Sequence, residues 1–358
     1  MSGIGLKKYG LNERLTEEAA EYEGMFIARV SGQHHNLYKV ITEKGEIQAV
    51  VTGRFRHEAE DGADFPAVGD WVMTDRTEGG KGDAVIHGIL PRRSLFVRQA
   101  AGTAGGVQVI AANVDTVFIC MALNADFNLR RLERYLAAAW ESRAKPVVVL
   151  TKADLCADLV EKLEETESVS GGAEIVICSS VEENGWQTVR KYIAEGETVA
   201  FIGSSGVGKS TLINRLAGRD VLAVNETRAG DDKGRHTTTS RQMILLPDGG
   251  TVIDTPGMRE LHLYAADLGK TFEDIEQLAA NCRFRDCTHT KEPGCAVRTA
   301  AEKGELSEDR LAGYFKLRRE MTYDGLNSRQ AEQEKIKRMF GSKGEMKQLK
   351  KYVKNKRK

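Results

Sequence analysis

The sequence predicts a chain of three structural regions: a small N-terminal β-barrel, a central α/β unit built on a mostly parallel sheet, and a mostly helical C-terminal region organised by a metal. Three observations predict it. Short β-type runs recur between Met25 and Arg98, and from about Gly106 buried strands alternate with helices. Three cysteines and one histidine then fall within fourteen residues, from Cys282 to Cys295. The expected division is an extension over residues 1–24, a barrel over 25–103, the α/β unit over 104–263, the metal-binding region over 264–327 and a basic helical tail over 328–358.

The five runs of the first region are Phe26 to Val30, Leu37 to Ile41, Ile47 to Val51, Asp70 to Thr74 and Ala84 to His87, punctuated by Gly45 and by Gly79 to Gly82. Five short strands of this size suggest an OB-fold barrel, whose face binds oligonucleotides through basic and aromatic side chains. Tyr38, Trp71, Arg54, Arg56, Arg92 and Arg93 are the candidates for that face. The competing reading makes the aromatics core and the arginines solvated.

In the second region the runs Val114 to Cys120, Pro146 to Leu150, Glu174 to Ile177, Thr198 to Ile202 and Thr251 to Ile253 read as buried strands, with a helix over Leu129 to Trp140. The run ending at Ile202 leads into Gly203-Ser204-Ser205-Gly206-Val207-Gly208-Lys209-Ser210, followed by Thr211 and the apolar Leu212, Ile213 and Leu216. Glycines in such a loop let backbone N–H groups wrap phosphates, Lys209 reaches the β/γ oxygens, and the Ser210 hydroxyl binds Mg²⁺.

Asp254-Thr255-Pro256-Gly257 follows a strand, where Asp254 can hold Mg²⁺ and the Gly257 N–H can meet a γ-phosphate. Between these segments, Lys233 to Thr239 reads as a mobile switch loop whose Thr238, or a neighbour among Thr237 and Thr239, completes the Mg²⁺ shell. Small GTPases usually place a water-orienting Gln after this glycine, but Met258 stands here and a thioether cannot orient water. His236 is the best-placed substitute, and a structural loop histidine is the plainer reading.

Thr151-Lys152-Ala153-Asp154 ends a strand, and the Asp154 carboxylate can accept two hydrogen bonds from the guanine N1–H and amino group, a pattern adenine lacks. Thr151 replaces the usual Asn, so a weaker tie between this loop and the phosphate loop is expected. Ser179 and Ser180, ending another strand, are positioned to touch the base. The guanine motif precedes the phosphate loop, the reverse of the order in ordinary small GTPases.

Cys282, Cys287, His289 and Cys295 form the ligand set of a closed structural Zn²⁺ site, one per chain. Four protein ligands leave no open position, so the metal is expected to fold its region rather than catalyse.

Charge is balanced, with 52 basic and 52 acidic residues, but from Lys343 eight basic residues face one acid, Glu345. Such a tail either attracts phosphate backbones or is a solvated end. No leader pattern is visible, and no apolar run approaches the roughly 18 residues that span a bilayer. A cytoplasmic, soluble protein without membrane contact is expected, in a reducing compartment given the scattered cysteines.

With these residues assembled, the chain resembles the circularly permuted ribosome-associated GTPases of the RsgA family. The resemblance runs from about Met25 to about Thr322. It is carried by Pro66 to Trp71, the permuted motif order, Gly206 to Asn214, His236 to Thr239, and Cys282 to Cys295 with Glu292-Pro293-Gly294. It implies an OB-fold, a permuted GTPase domain and a zinc domain, with His236 as the catalytic histidine. It also implies binding to the small ribosomal subunit and its rRNA, hydrolysis of GTP to GDP and phosphate with subunit-stimulated turnover, and a role in late subunit maturation; a monomer is expected. A second reading is an RNA-docking module in which GTP only toggles affinity. A P-loop ATPase or kinase is disfavoured by Asp154.

Overall fold

The computed structural model describes residues 5–34, 36–99, 107–182, 185–223, 241–254 and 267–323. The lead-in forms a 3-10 turn at Leu6–Tyr9 and a short helix α1 (Glu13–Ala19), capped where the Asn12 side chain accepts the Leu15 N–H. Leu6 and Leu15 pack on Trp71, Met73 and Leu90, so this segment plugs one end of the barrel.

The barrel runs β1 (Phe26–His34), β2 (Leu37–Ile41), β3 (Glu46–Val51), a helix α2 (Gly53–Glu58), β4 (Trp71–Thr74) and β5 (Ala84–Ile89). Pairing β1-β2-β3-β5-β4 closes back onto β1, with β3 and β5 parallel, the Greek-key closure of an OB-fold. Val30, Val40, Ala49, Val72 and Ile86 fill it. Tyr38 and Trp71 are only 2% exposed and belong to the core, so they present no face to an oligonucleotide. Arg92 is likewise committed, pairing bidentately with buried Asp70 at 2.7 and 2.8 Å, whereas Arg54 and Arg56 lie exposed on α2.

An antiparallel ribbon of β6 (Leu95–Gln99) and β7 (Val107–Ala112), unforeseen in the sequence, bridges barrel and α/β unit. The α/β unit follows as β8 (Thr116–Ala122), α3 (Leu129–Glu141), β9 (Lys145–Thr151), α4 (Leu159–Glu167), β10 (Glu174–Ile177), α5 (Gln187–Arg190), β11 (Thr198–Ile202), α6 (Lys209–Ala217), β12 (Arg241–Leu245) and β13 (Thr251–Asp254). Its sheet order is β10-β9-β8-β11-β13-β12, parallel except for β12. Every strand expected from the sequence is present, and β12 is additional. Apolar strands of this kind need cover on both faces. One face packs on α3 through Leu132 and Leu136, and the other on α6 through Leu212, Ile213 and Leu216.

β12 also pairs with β1, Gly32 opposite Gln242 and Gln33 opposite Arg241, so barrel and α/β unit share one eleven-stranded sheet. The C-terminal region is helical: α7 (Leu268–Thr271), α8 (Glu273–Ala279), α9 (Ala296–Glu302) and α10 (Glu308–Tyr323). The expected tail helix and basic end lie outside the described residues. Among those described, no helix is long and apolar enough to cross a membrane.

Two buried cations fasten the seams. Arg29 of β1, 1% exposed, donates to Thr198 Oγ1 of β11 at 2.7 Å, to the Gly69 and Asn113 carbonyls at 3.3 and 3.5 Å, and to the Tyr9 carbonyl of the lead-in. Its guanidinium also lies 5.1 Å from the Trp71 ring centroid. Burial pulls its pKa down to about 10, with Asp115 and Asp70 opposing, so it remains charged at neutral pH.

At the other seam Arg310 of α10 bonds Glu133 of α3 at 2.8 Å, Asp274 of α8 at 2.9 and 3.1 Å, and the Thr271 carbonyl at 2.7 Å. Arg134 Nη2 adds bonds to both carboxylate oxygens of Glu320 at 2.6 and 2.7 Å.

Removing the Arg29 guanidinium takes a donor from three carbonyls and a hydroxyl, of which the Gly69 carbonyl keeps the Asn113 amide at 3.2 Å, a loss of about 3 kcal/mol. Arg29→Met is therefore expected to lower the urea midpoint by a matching amount. An unchanged midpoint would contradict the role given to this side chain.

Candidate active site and metal centre

The phosphate loop begins where β11 ends at Ile202, at the carboxyl edge of the parallel strands, where open α/β sheets bind ligands. Gly203, at φ +143°, lies so close to β8 that a Cβ would collide with the Cys120 carbonyl. Gly208 takes φ +99° as the residue that opens α6, putting Lys209, Ser210 and Thr211 in its first turn. Lys209 Nζ donates to the Gly203 and Ser204 carbonyls at 2.7 and 2.6 Å, which holds the ammonium over the loop. Asp254 ends β13, the strand beside β11, so it and Ser210 share one edge of the sheet.

A tie is present at Thr151. Its hydroxyl donates to the Val207 carbonyl at 2.6 Å, joining the end of β9 directly to the phosphate loop, and the residue is 1% exposed. A side-chain donor is what the connection needs, and a hydroxyl supplies one over a shorter reach than an amide. Lys152 follows in the left-handed region at φ +58°, next to Asp154, which faces the loop segment after β10. There Ser179 Oγ donates to Asp154 Oδ1 at 2.7 Å, fixing the carboxylate and leaving its second oxygen for a base. Ser179 thus acts through Asp154, with Ser180 next to it.

Thr151, Lys152, Asp154, Ser179 and Ser180 are brought to one side of the loop Gly203–Ser210 by three parallel strands, β9, β10 and β11. His236, Thr238 and Gly257 lie outside the described residues, as do Thr237, Thr239 and Met258.

The four expected metal ligands converge, with all ligand atoms within 4.8 Å of one another. Cys282 and Cys295 sulfurs are 3.9 Å apart, and His289 Nδ1 is 3.6 and 3.5 Å from them. Tetrahedral Zn²⁺ with ordinary bond lengths requires about 3.8 Å between sulfurs and about 3.6 Å from sulfur to nitrogen, so the set fits. Burial holds the His289 imidazole below its ordinary pKa, in the neutral form that ligates. Although desolvation opposes it, N–H groups of Val297 and Ala296 at the start of α9 draw the Cys282 thiol below its usual range.

Burial pushes the Cys287 thiol up to about 11, and does the same to Cys120 and Cys178, which lie outside the ligand set, to about 12 and about 11. Glu292 staples the ligand loop, accepting from the Thr288 hydroxyl and from the N–H groups of Thr288, Thr290 and Lys291. These bonds, led by the hydroxyl, bring its carboxyl down to about 2. Cys287 and Cys295 sit in the same apolar core as Leu132 and Leu136 of α3, so the metal region and the nucleotide sheet share packing.

A phosphate-loop sequence after a parallel strand, a seated carboxylate, Asp154, upstream of it, and a barrel before both have the layout of a circularly permuted P-loop GTPase. The RsgA GTPase family model matches residues 89–264. The small ribosomal subunit biogenesis GTPase RsgA 2 of Lactiplantibacillus plantarum is 54% identical over 347 residues, covering 97% of this chain and 98% of that protein. RsgA of Opitutus terrae is 46% identical over 311 residues, 84% of this chain and 85% of that protein. Among solved structures, YjeQ from Thermotoga maritima superposes with a TM-score of 0.61 at 28% identity, covering 83% of this chain and 99% of that one. YloQ, described as a circularly permuted GTPase, gives 0.58 at 25% identity, covering 84% and 96%. The chain belongs to the RsgA family and is a GTPase of that family.

Thr151→Val keeps the shape of the side chain but leaves the buried Val207 carbonyl without its donor, which costs about 1–3 kcal/mol. Guanine-nucleotide affinity, read by titration with a fluorescent GDP, is expected to fall about tenfold, and Thr151→Asn to recover most of it. Equal affinities for the parent protein and the Thr151→Val variant would rule the tie out.

Proposed function

We propose that this chain hydrolyses GTP to GDP and phosphate while bound to the small ribosomal subunit, acting late in its maturation, with turnover raised by the subunit. The observation that carries this reading is the seated Asp154 carboxylate, held by Ser179 and joined through Thr151 to the phosphate loop. Asp154 selects guanine, and the N–H groups of the loop from Gly203 through Val207, Gly208 and Thr211 hold the phosphates. Lys209 reaches the β/γ oxygens, while Ser210, Asp254 and Thr238 would hold Mg²⁺, which supplies charge neutralisation at the transferred phosphate when bound. The Gly257 N–H meets the γ-phosphate, and His236 orients the attacking water.

The names of the relatives support the ribosomal partner. The exposed Arg54 and Arg56 of the barrel offer cations to rRNA phosphates. Cys282, Cys287, His289 and Cys295 would hold one structural Zn²⁺. The protein acts as a soluble cytoplasmic monomer.

Hydrolysis of GTP and ATP by the full-length protein, with and without purified small subunits, tests the reading. Small subunits should raise the GTP rate about tenfold or more and leave ATP unhydrolysed. His236→Ala should remove about 100-fold of the stimulated rate. Equal GTP rates with and without subunits, alongside tight GTP binding, would favour a docking module that GTP merely toggles.

The metal yields a separate prediction. Purified protein should contain one zinc per chain, and a strong chelator should unfold residues 267–323 and lower the melting temperature. Guanine-nucleotide affinity should change less than about tenfold, because α6 and the phosphate loop pack on the other face of the sheet. A melt indifferent to chelator, in protein free of zinc, would exclude the metal.

A further inference from the structure

We propose that Asp126 is a positioning residue of the nucleotide site, holding the first turn of the phosphate loop against α3. The inference rests on Gly203–Ser210 being the phosphate site. Asp126 lies outside every nucleotide motif, in the short link between β8 and α3, and both of its carboxylate oxygens are in use. Oδ2 accepts from Ser204 Oγ at 2.5 Å, and Oδ1 accepts from Arg131 Nη2 at 3.0 Å. Arg131 Nη2 also donates to the Asp126 carbonyl at 2.8 Å.

The link is braced by its own hydrogen bonds. Asn124 Oδ1 accepts the Asp126 N–H at 3.0 Å, and Asn128 caps α3 by accepting the Arg131 N–H at 2.9 Å.

A bare carboxylate this close to a triphosphate would repel it. Pairing with Arg131 removes most of that repulsion and leaves the acceptor geometry, which suits a group that holds a loop rather than a ligand. Ser204 is nine-tenths buried and is held from both sides: its hydroxyl by Asp126, its carbonyl by Lys209 at 2.6 Å. Together with the bond from Thr151 to the Val207 carbonyl, this gives the loop two fixed points, three residues apart, on separate strand ends. Backbone N–H groups bind phosphate well only when they already point at it, so freeing one fixed point is read out as lost affinity.

The same link carries the arrangement away from the nucleotide. Arg131 sits among Arg130, Glu133 and Arg134, which bond Asp309, Arg310 and Glu320 of α10.

The test is nucleotide titration and steady-state hydrolysis with the full-length protein, using fluorescent GDP and GTP. Asp126→Ala should weaken GTP binding about tenfold and raise KM by a similar factor, with kcat falling less than about threefold. Asp126→Asn should stay within about twofold of the parent, since its amide oxygen can accept from Arg131 while its N–H donates to Ser204 Oγ. Ser204→Ala should weaken binding as Asp126→Ala does, and the double variant should be no weaker than either single one.

Independent, additive losses would overturn the proposal, as would Asn as damaging as Ala or an Asp126→Ala protein with unaltered affinity. If Asp126→Ala melts early, the comparison of Asp126→Asn with Ser204→Ala decides alone. A parent protein that binds no guanine nucleotide would instead remove the reading of the phosphate loop itself.

Discussion

The architecture depends on a charge placed where hydrophobicity would ordinarily be. Arg29 sits where the lead-in, the barrel, the loop before β8 and the strand that feeds the phosphate loop all meet, and it satisfies a carbonyl or hydroxyl from each. Apolar packing is non-directional and by itself fixes no one set of contacts at the seam. A guanidinium with a fixed fork of donors permits only one arrangement. Its desolvation is opposed by Asp115 and Asp70, which are themselves held by Arg93 and Arg92, so the charges form a closed set rather than a lone ion. Arg310 solves the same problem where the metal-ligand region meets α3, with the Phe272 ring 4.4 Å from its guanidinium.

The nucleotide site is built by the same means on a smaller scale. Phosphate loops are glycine-rich and would wander if glycine alone shaped them. Side chains from neighbouring strand ends oppose this by bonding loop backbone and hydroxyl groups, as Thr151 does to the Val207 carbonyl and Asp126 to the Ser204 hydroxyl. At position 151 the motif names a residue, whereas the fold places a donor at a distance from the Val207 carbonyl.

Much of this was legible in the sequence. The five barrel strands, the buried parallel strands, the loop Gly203–Ser210 and the four metal ligands all announce themselves by period, spacing or chemistry. What stayed hidden shares one physical character, dependence on partners distant in the chain. β12 has a short apolar run that makes sense only between β13 and β1, and the β6–β7 ribbon has strands whose pairing spans residues without a tight turn motif. Tyr38 and Trp71 carry aromatic rings that suit a nucleic-acid face or a core equally, and strand alternation cannot say which side is inward without the closure of the barrel. Glu292 was visible as part of a motif, yet its work, four bonds back to its own loop, is conformational. Asp126 belongs to no motif, and the only local signal was its place just beyond a buried strand.

Domains joined by a linker can be turned relative to each other. Here the joint is a β-ladder: β1 closes the barrel through β4 at its beginning and, past a bulge between Val30 and Gly32, pairs with β12 of the nucleotide sheet. A ladder of hydrogen bonds has no swivel. Two register pairs, Gly32 with Gln242 and Gln33 with Arg241, together with the Arg29 bond to Thr198, therefore tie the barrel by directed bonds to the sheet that carries the phosphate loop.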